Sequence, residues 1–177
     1  LLGQIDLSVP WVVTVGAMMA CAAASYGEVG SALAIPFGIL CGALVGLANG
    51  FATAYLRIPS MIFTLGVNAV MRGLMVLHNG GLAPQTHAIV LVAFLATGHV
   101  LGVPMPLVVW TLVSVLLVLM LQRMPLGRYV YAIGNRESAA YLSGIDTRLV
   151  LIFCFAFSGM CAALAGVLLA GYSTKAY

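Results

Sequence analysis

Charge disappears from this chain over long stretches. Residues 7–27, 29–56, 73–122 and 149–174 contain no Asp, Glu, Lys or Arg. A helix that crosses a bilayer needs about 20 consecutive, mostly apolar residues. The stretches divide at turn signals into five such spans. The first runs from about Val9 to Tyr26, with Ser8 as its cap, Pro10 in its first turn, and Trp11 and Tyr26 at its ends. The second runs from about Ser31 to Leu56, with Pro36 near its start. The third runs from Ser60 to about Leu77, opened by Pro59 and closed by His78-Asn79-Gly80-Gly81. The fourth spans about Pro106 to Arg123 and is stopped by Pro125. The fifth spans about Thr147 to Gly171, with Asp146 as its cap. Residues 88–98 are apolar but too short to cross, so they predict a short helix lying at the membrane surface or dipping into it.

Composition gives the same class. Of 177 residues, 63% are hydrophobic and only 6% are charged, against about 25% in a soluble domain. So few charges cannot clothe a soluble surface. The reading is an all-α, polytopic transmembrane bundle in a single domain over 1–177. The 20 glycines suit helices that pack backbone to backbone. The net charge of +3 is scattered rather than patched, which argues against nucleic acid. Cys21, Cys41, Cys154 and Cys161 lie in apolar runs without a CxxC pair and read as packing residues. The first residue is Leu1, and the chain reads as a fragment of a longer protein.

Lys and Arg in the loops set the orientation. Arg123, Arg128, Arg136 and Arg148 fall in loop 123–148, and Arg57 lies between spans two and three, whereas segment 78–105 has no charged residue. With loop 123–148 cytoplasmic, five alternating spans put Arg57 inside and 78–105 outside. Only Lys175 disagrees.

Three groups of residues stand out. Gly38, Gly42, Gly46 and Gly50 form a GxxxG stripe on span two, a helix-packing surface; Ser158, Ala162, Gly166 and Ala170 repeat the pattern on span five. Thr64, Asn68 and Arg72, spaced by four, share one face of span three and are candidates for lining a polar pathway. Arg72 could instead snorkel to the interface. Asn49 is a weaker pathway candidate and a better one for an interhelical hydrogen bond. In loop 123–148, Asn135 is placed to cap a short helix from Arg136 to Leu142, Glu137 suits its dipole, and Gly144 sits at a left-handed stop. Two turns of helix are not stable alone and must pack on a membrane or a protein. His78, His87 and His99 show no metal spacing and read as surface residues.

Residues 126–145, LGRYVYAIGNRESAAYLSGI, resemble the cytoplasmic loop of bacterial ribose/xylose/galactoside-type ABC permeases, whose pattern is roughly GR-x-x-YAIG-x-N-x-x-AA-x-x-SGI. Three more stretches resemble that family in order: residues 4–9 (its G-IDLSVG), 46–50 (G-x-xNG) and 58–66 (IP-x-FI-x-TLG). Gln4, Pro10 and Arg136 depart from the pattern and leave the subfamily open. The resemblance implies a permease of about ten spans in a bacterial inner membrane, paired with a second permease copy, identical or not. It also implies an ABC ATPase subunit that binds the ATP, a periplasmic sugar-binding protein, and no cofactor on this chain. Residues 135–144 would then be the coupling helix, with Arg128, Asn135, Glu137, Ala139, Ala140 and Gly144 carrying the contact.

The residues themselves fit that expectation. There is no GxxxxGK[ST] phosphate loop, and Lys175 is the single lysine. No Asp or Glu lies inside a span, which disfavours a proton-coupled secondary transporter, and no GxSG or mid-span His supports an intramembrane protease. A relative importing a nucleoside or sugar derivative remains the main alternative, with a secondary transporter behind it.

Overall fold

Apolar runs separated by Pro, Gly and Asp signals become helices, and the ends of those helices follow the signals. The computed structural model describes residues 2–78, 90–100 and 102–173. Its helices are α1 (Val9–Ala24), α2 (Gly27–Tyr55), α3 (Ser60–His78), α4 (Val90–Thr97), α5 (Met105–Arg123), α6 (Pro125–Asn135), α7 (Glu137–Leu142) and α8 (Thr147–Ser173). A two-residue hairpin, β1 (His99–Val100) and β2 (Val103–Pro104), joins α4 to α5. His87 and Lys175 lie outside the described residues.

Four helices are long and apolar enough to cross a membrane: α2, α3, α5 and α8. The fifth expected span, α1, has 16 residues, about 24 Å of rise. It is shorter because residues 2–7 approach it as irregular chain, and because it stops at a turn before Gly27, whose φ is +82°. Ser8 does not cap α1 with its side chain; its hydroxyl is committed elsewhere. Asp146 does cap α8: its Oδ1 accepts from the backbone N–H of Arg148 (3.1 Å) and Leu149 (3.2 Å). Pro125 ends α5 and at once starts α6, because proline is favoured in a first helical turn.

The core is the triple contact of α1, α2 and α8, with α2 against α8 the most extensive pair. The glycine stripe makes it. A Cβ on Gly50 would sit 2.6 Å from the Ile152 Cα, one on Gly46 would strike the Phe155 carbonyl, one on Gly42 would lie 2.5 Å from the Gly159 carbonyl, and one on Gly38 would lie 2.8 Å from the Gly16 carbonyl of α1. The answering face of α8 is Ile152, Phe155, Gly159, Ala163 and Val167, one residue round from the expected Ser158–Ala170 stripe. Gly166 packs instead on Val13 of α1. At the far end of α8, α4 leans on it, with the Val92 carbonyl against Gly171. By contrast, α5 buries no residue and touches mainly α4 and α6.

Gly42→Val in the full-length protein should destabilise it by about 1–3 kcal/mol, since backbone carbonyls cannot move aside. Gly73 has nothing within 4 Å of its added Cβ, so Gly73→Ala should leave stability within about 0.5 kcal/mol. Unfolding in detergent compares the two.

Candidate functional site

Polar side chains inside an apolar bundle must find partners, and here they find one another where the start of α1 meets α2 and α3. The irregular segment before α1 is held by hydrogen bonds from three directions. Ser8 donates through its backbone N–H (2.9 Å) and its hydroxyl (2.6 Å) to Asp6 Oδ1. The Asn49 amide of α2 donates to Ser8 Oγ at 2.8 Å. The backbone N–H of Leu7 donates to Thr64 Oγ1 (3.0 Å), and that of Ile5 to Ser60 Oγ (3.3 Å), both on the first turns of α3. The Thr64 hydroxyl donates to the Ser60 carbonyl at 2.8 Å. Ser8, Asn49 and Thr64 are 0% exposed. The node satisfies backbone groups that irregular chain leaves bare.

On the expected polar face of α3, Thr64 is sealed inside the node. Asn68, one turn on, is half-buried, with an Oδ1 that is buried and has no partner. Arg72 is exposed. Asn68 and Arg72 therefore remain on the accessible part of α3 while Thr64 leaves it. Asn49 bonds between helices through its nitrogen and keeps a buried Oδ1 without a partner. Asp6, Ser8 and Ser60 were missed as members of one site, because the bonds that join their segments span 41–57 residues of sequence. Their co-occurrence in stretches 4–9, 46–50 and 58–66 was the signal that could have found them.

Loop 123–148 is built differently from the expectation at one point. Asn135 closes α6 rather than capping α7; the cap position is Arg136, in extended conformation, with no side-chain cap bond. The reason is that α6 is a real amphipathic helix, burying Gly127, Val130 and Ile133 and leaving Arg128 exposed. Ala140 is the buried residue of α7 and packs on Val130, Ile133 and Val150. Glu137, Ser138 and Ala139 are exposed, and Tyr141 and Leu142 are bare at 67% and 85%. Gly144 has φ +80° and ends α7: its N–H meets the Tyr141 carbonyl (3.0 Å), and the Ile145 N–H meets the Ala140 carbonyl (3.2 Å).

Two cavities flank this assembly. One, about 760 Å³, lies between the α2–α3 turn, α7 and the start of α8, with Gln4, Arg57, Glu137, Tyr141 and Arg148 among its lining residues. The other, about 390 Å³, separates α5 from α8 and is mostly apolar, with Asp6 and Ser158 at its wall.

A family model described as "Branched-chain amino acid transport system / permease component" matches residues 1–177. The chain belongs to this permease family. The permease is 35% identical over 172 residues to the ribose import permease protein RbsC of Haemophilus influenzae, covering 95% of this chain and 53% of that one. It is 32% identical to the D-allose transport system permease protein AlsC of Escherichia coli K12 (94% and 51%). It is also 32% identical to the galactofuranose transporter permease protein YtfT of the same strain (95% and 49%). The chain spans about half the length of these curated relatives. No solved structure matches. The permease is thus a multi-pass membrane protein, and the relatives with which it aligns are transport permeases rather than enzymes.

Thr64→Val would strip the acceptor from the Leu7 N–H at the part-buried edge of the node and should destabilise the full-length permease by about 1 kcal/mol, while Thr64→Ser should not. Thermal unfolding in detergent checks this. A change in uptake without a change in stability would mean a pathway role instead.

Proposed function

We propose that this chain forms part of the translocation pathway of an ATP-driven bacterial importer for a sugar of the ribose, allose or galactofuranose kind. The exposed end of α7 carries the reading. A six-residue helix that shows Glu137, Tyr141 and Leu142 to solvent while anchored through Ala140 is built as a docking element. An exposed tyrosine is a residue type that anchors interfaces. The partner is an ABC ATPase subunit, which supplies the ATP chemistry that this chain, lacking a phosphate loop, does not.

The mechanism is alternating access. ATP-driven closure of the partner displaces α7 and α6 as a lever, and the load passes through the Val130–Ile133–Ala140–Val150 cluster to the base of α8. Because α8 and α2 are locked at their glycines, they move as one body, and packed helices switch between discrete arrangements. A second permease copy completes the pathway, and a periplasmic binding protein delivers the sugar. Loop 123–148 faces the cytoplasm and segment 78–105 the periplasm, in the inner membrane. Support comes from the cavity that gathers Arg57, Arg148 and α7 at one end of the bundle, as positive-inside orientation requires. A neutral sugar needs hydrogen-bonding groups without strong charge, and the unpartnered amide oxygen of Asn68 is of that type.

Co-purification of the full-length permease with its candidate ATPase tests the reading. Tyr141→Ala, Glu137→Arg and Gly144→Leu should each reduce capture at least about tenfold, the equivalent of losing one anchor. If the unaltered permease captures no ATPase, the secondary-transporter reading takes its place.

A further inference from the structure

The 760 Å³ cavity beside α7 is lined by two arginines, Arg57 and Arg148, that come from different elements and face one space. Among the described residues neither has a carboxylate within ion-pairing distance, although Glu137 lines the same cavity. Arg57 stands at a φ of +52°, a left-handed backbone that a non-glycine residue adopts only where its surroundings hold it there. The Arg148 guanidinium lies 5.2 Å from the centre of the Tyr55 ring, which fixes its plane. Tyr55 in turn stacks on Phe51 at 5.0 Å. From Phe51 the exposed ridge of α2 continues through Leu47 to Leu44. From Tyr55 to Leu44 this ridge rises about 17 Å, close to half the hydrocarbon thickness of a bilayer.

We propose that this cavity and ridge form a binding site for one anionic phospholipid of the cytoplasmic leaflet. The phosphate sits between Arg57 and Arg148, and an acyl chain lies along Phe51, Leu47 and Leu44. The inference rests on the cytoplasmic orientation proposed above. The charge of the pair calls for an anion, and guanidinium forks suit phosphate oxygens. The continuous apolar ridge, one leaflet deep, selects a lipid over a soluble anion or an acidic side chain of a docked protein, neither of which could use it. Glu137 at the cavity wall disfavours headgroups with more than one negative charge, so a singly charged lipid such as phosphatidylglycerol fits best. A lipid held there would touch α7, the α2–α3 turn and the base of α8 together, and so would bear on coupling.

The test uses the full-length permease in nanodiscs of phosphatidylcholine containing a minor fraction of spin-labelled phosphatidylglycerol, read by the motionally restricted spectral component. The expected result is retention of phosphatidylglycerol by the parent and by Arg123→Gln, an arginine of the same end that lies off the cavity. Arg57→Gln and Arg148→Gln should each weaken retention roughly tenfold, the loss of one charge-assisted phosphate contact. Equal loss in Arg123→Gln would reduce the effect to general surface charge and overturn the site. Displacement of the lipid by millimolar inorganic phosphate would make it a site for soluble anions. Unchanged lipid retention with loss of ATPase capture in the Arg57→Gln, Arg148→Gln double variant would assign the arginines to the protein partner. Membrane-impermeant thiol labelling of Arg57→Cys in intact cells separates the two levels: labelling from outside would overturn the orientation, and with it the cytoplasmic leaflet, whatever the nanodiscs report.

Discussion

Lipid tails are as apolar as leucine, so membrane helices gain little by hiding leucine from them. They associate where backbones can approach closely and dispersion contacts multiply. In this permease that place is the seam of α2 and α8, where Gly42, Gly46 and Gly50 bring the two helical backbones together, and Gly38 extends the stripe onto α1. Everything else is arranged around the seam. The third core helix, α1, closes on it through Gly16, whose absent side chain would fall 2.6 Å from the Ala163 Cα. Large apolar residues of α2 are left on the opposite side, on the outward ridge.

The seam also explains where polarity can be kept. The node of Asp6, Ser8, Asn49, Ser60 and Thr64 lies next to it, on a segment too irregular to satisfy its own backbone. The amides of Ile5, Leu7 and Ser8, which have no helical partner, are answered by side chains instead. The three family stretches that carry these residues are far apart in sequence but adjacent in space. In this structure they fasten the irregular segment before α1 to α2 and α3.

Function divides along the same line between rigid and loose. The α1–α2–α8 body is closely packed, whereas α5 and α7 are lightly attached, one by its neighbours in sequence and the other chiefly through Ala140. A lever needs a stiff receiver and a mobile handle. In the mechanism proposed above, the cluster joining α6, α7 and α8 lies between the two and would carry the load.

Long charge-free runs determined the helices almost by themselves, because a bilayer demands length and apolarity from each span independently of its neighbours. The asymmetry of arginines, the glycine stripe, the Asp146 cap and the left-handed Gly144 were legible for the same reason: each is a local requirement of charge, size or backbone angle. What the sequence could not decide was direction across space. Helical spacing put Thr64, Asn68 and Arg72 on one face, yet only packing showed that Thr64 is sealed by the chain before α1 while Arg72 stays exposed. Likewise α6 was hidden behind the proline that seemed only to end α5, and it took the cap position from Asn135. A side chain's partner is set by the approach of distant elements, and periodicity within one element carries no information about that approach.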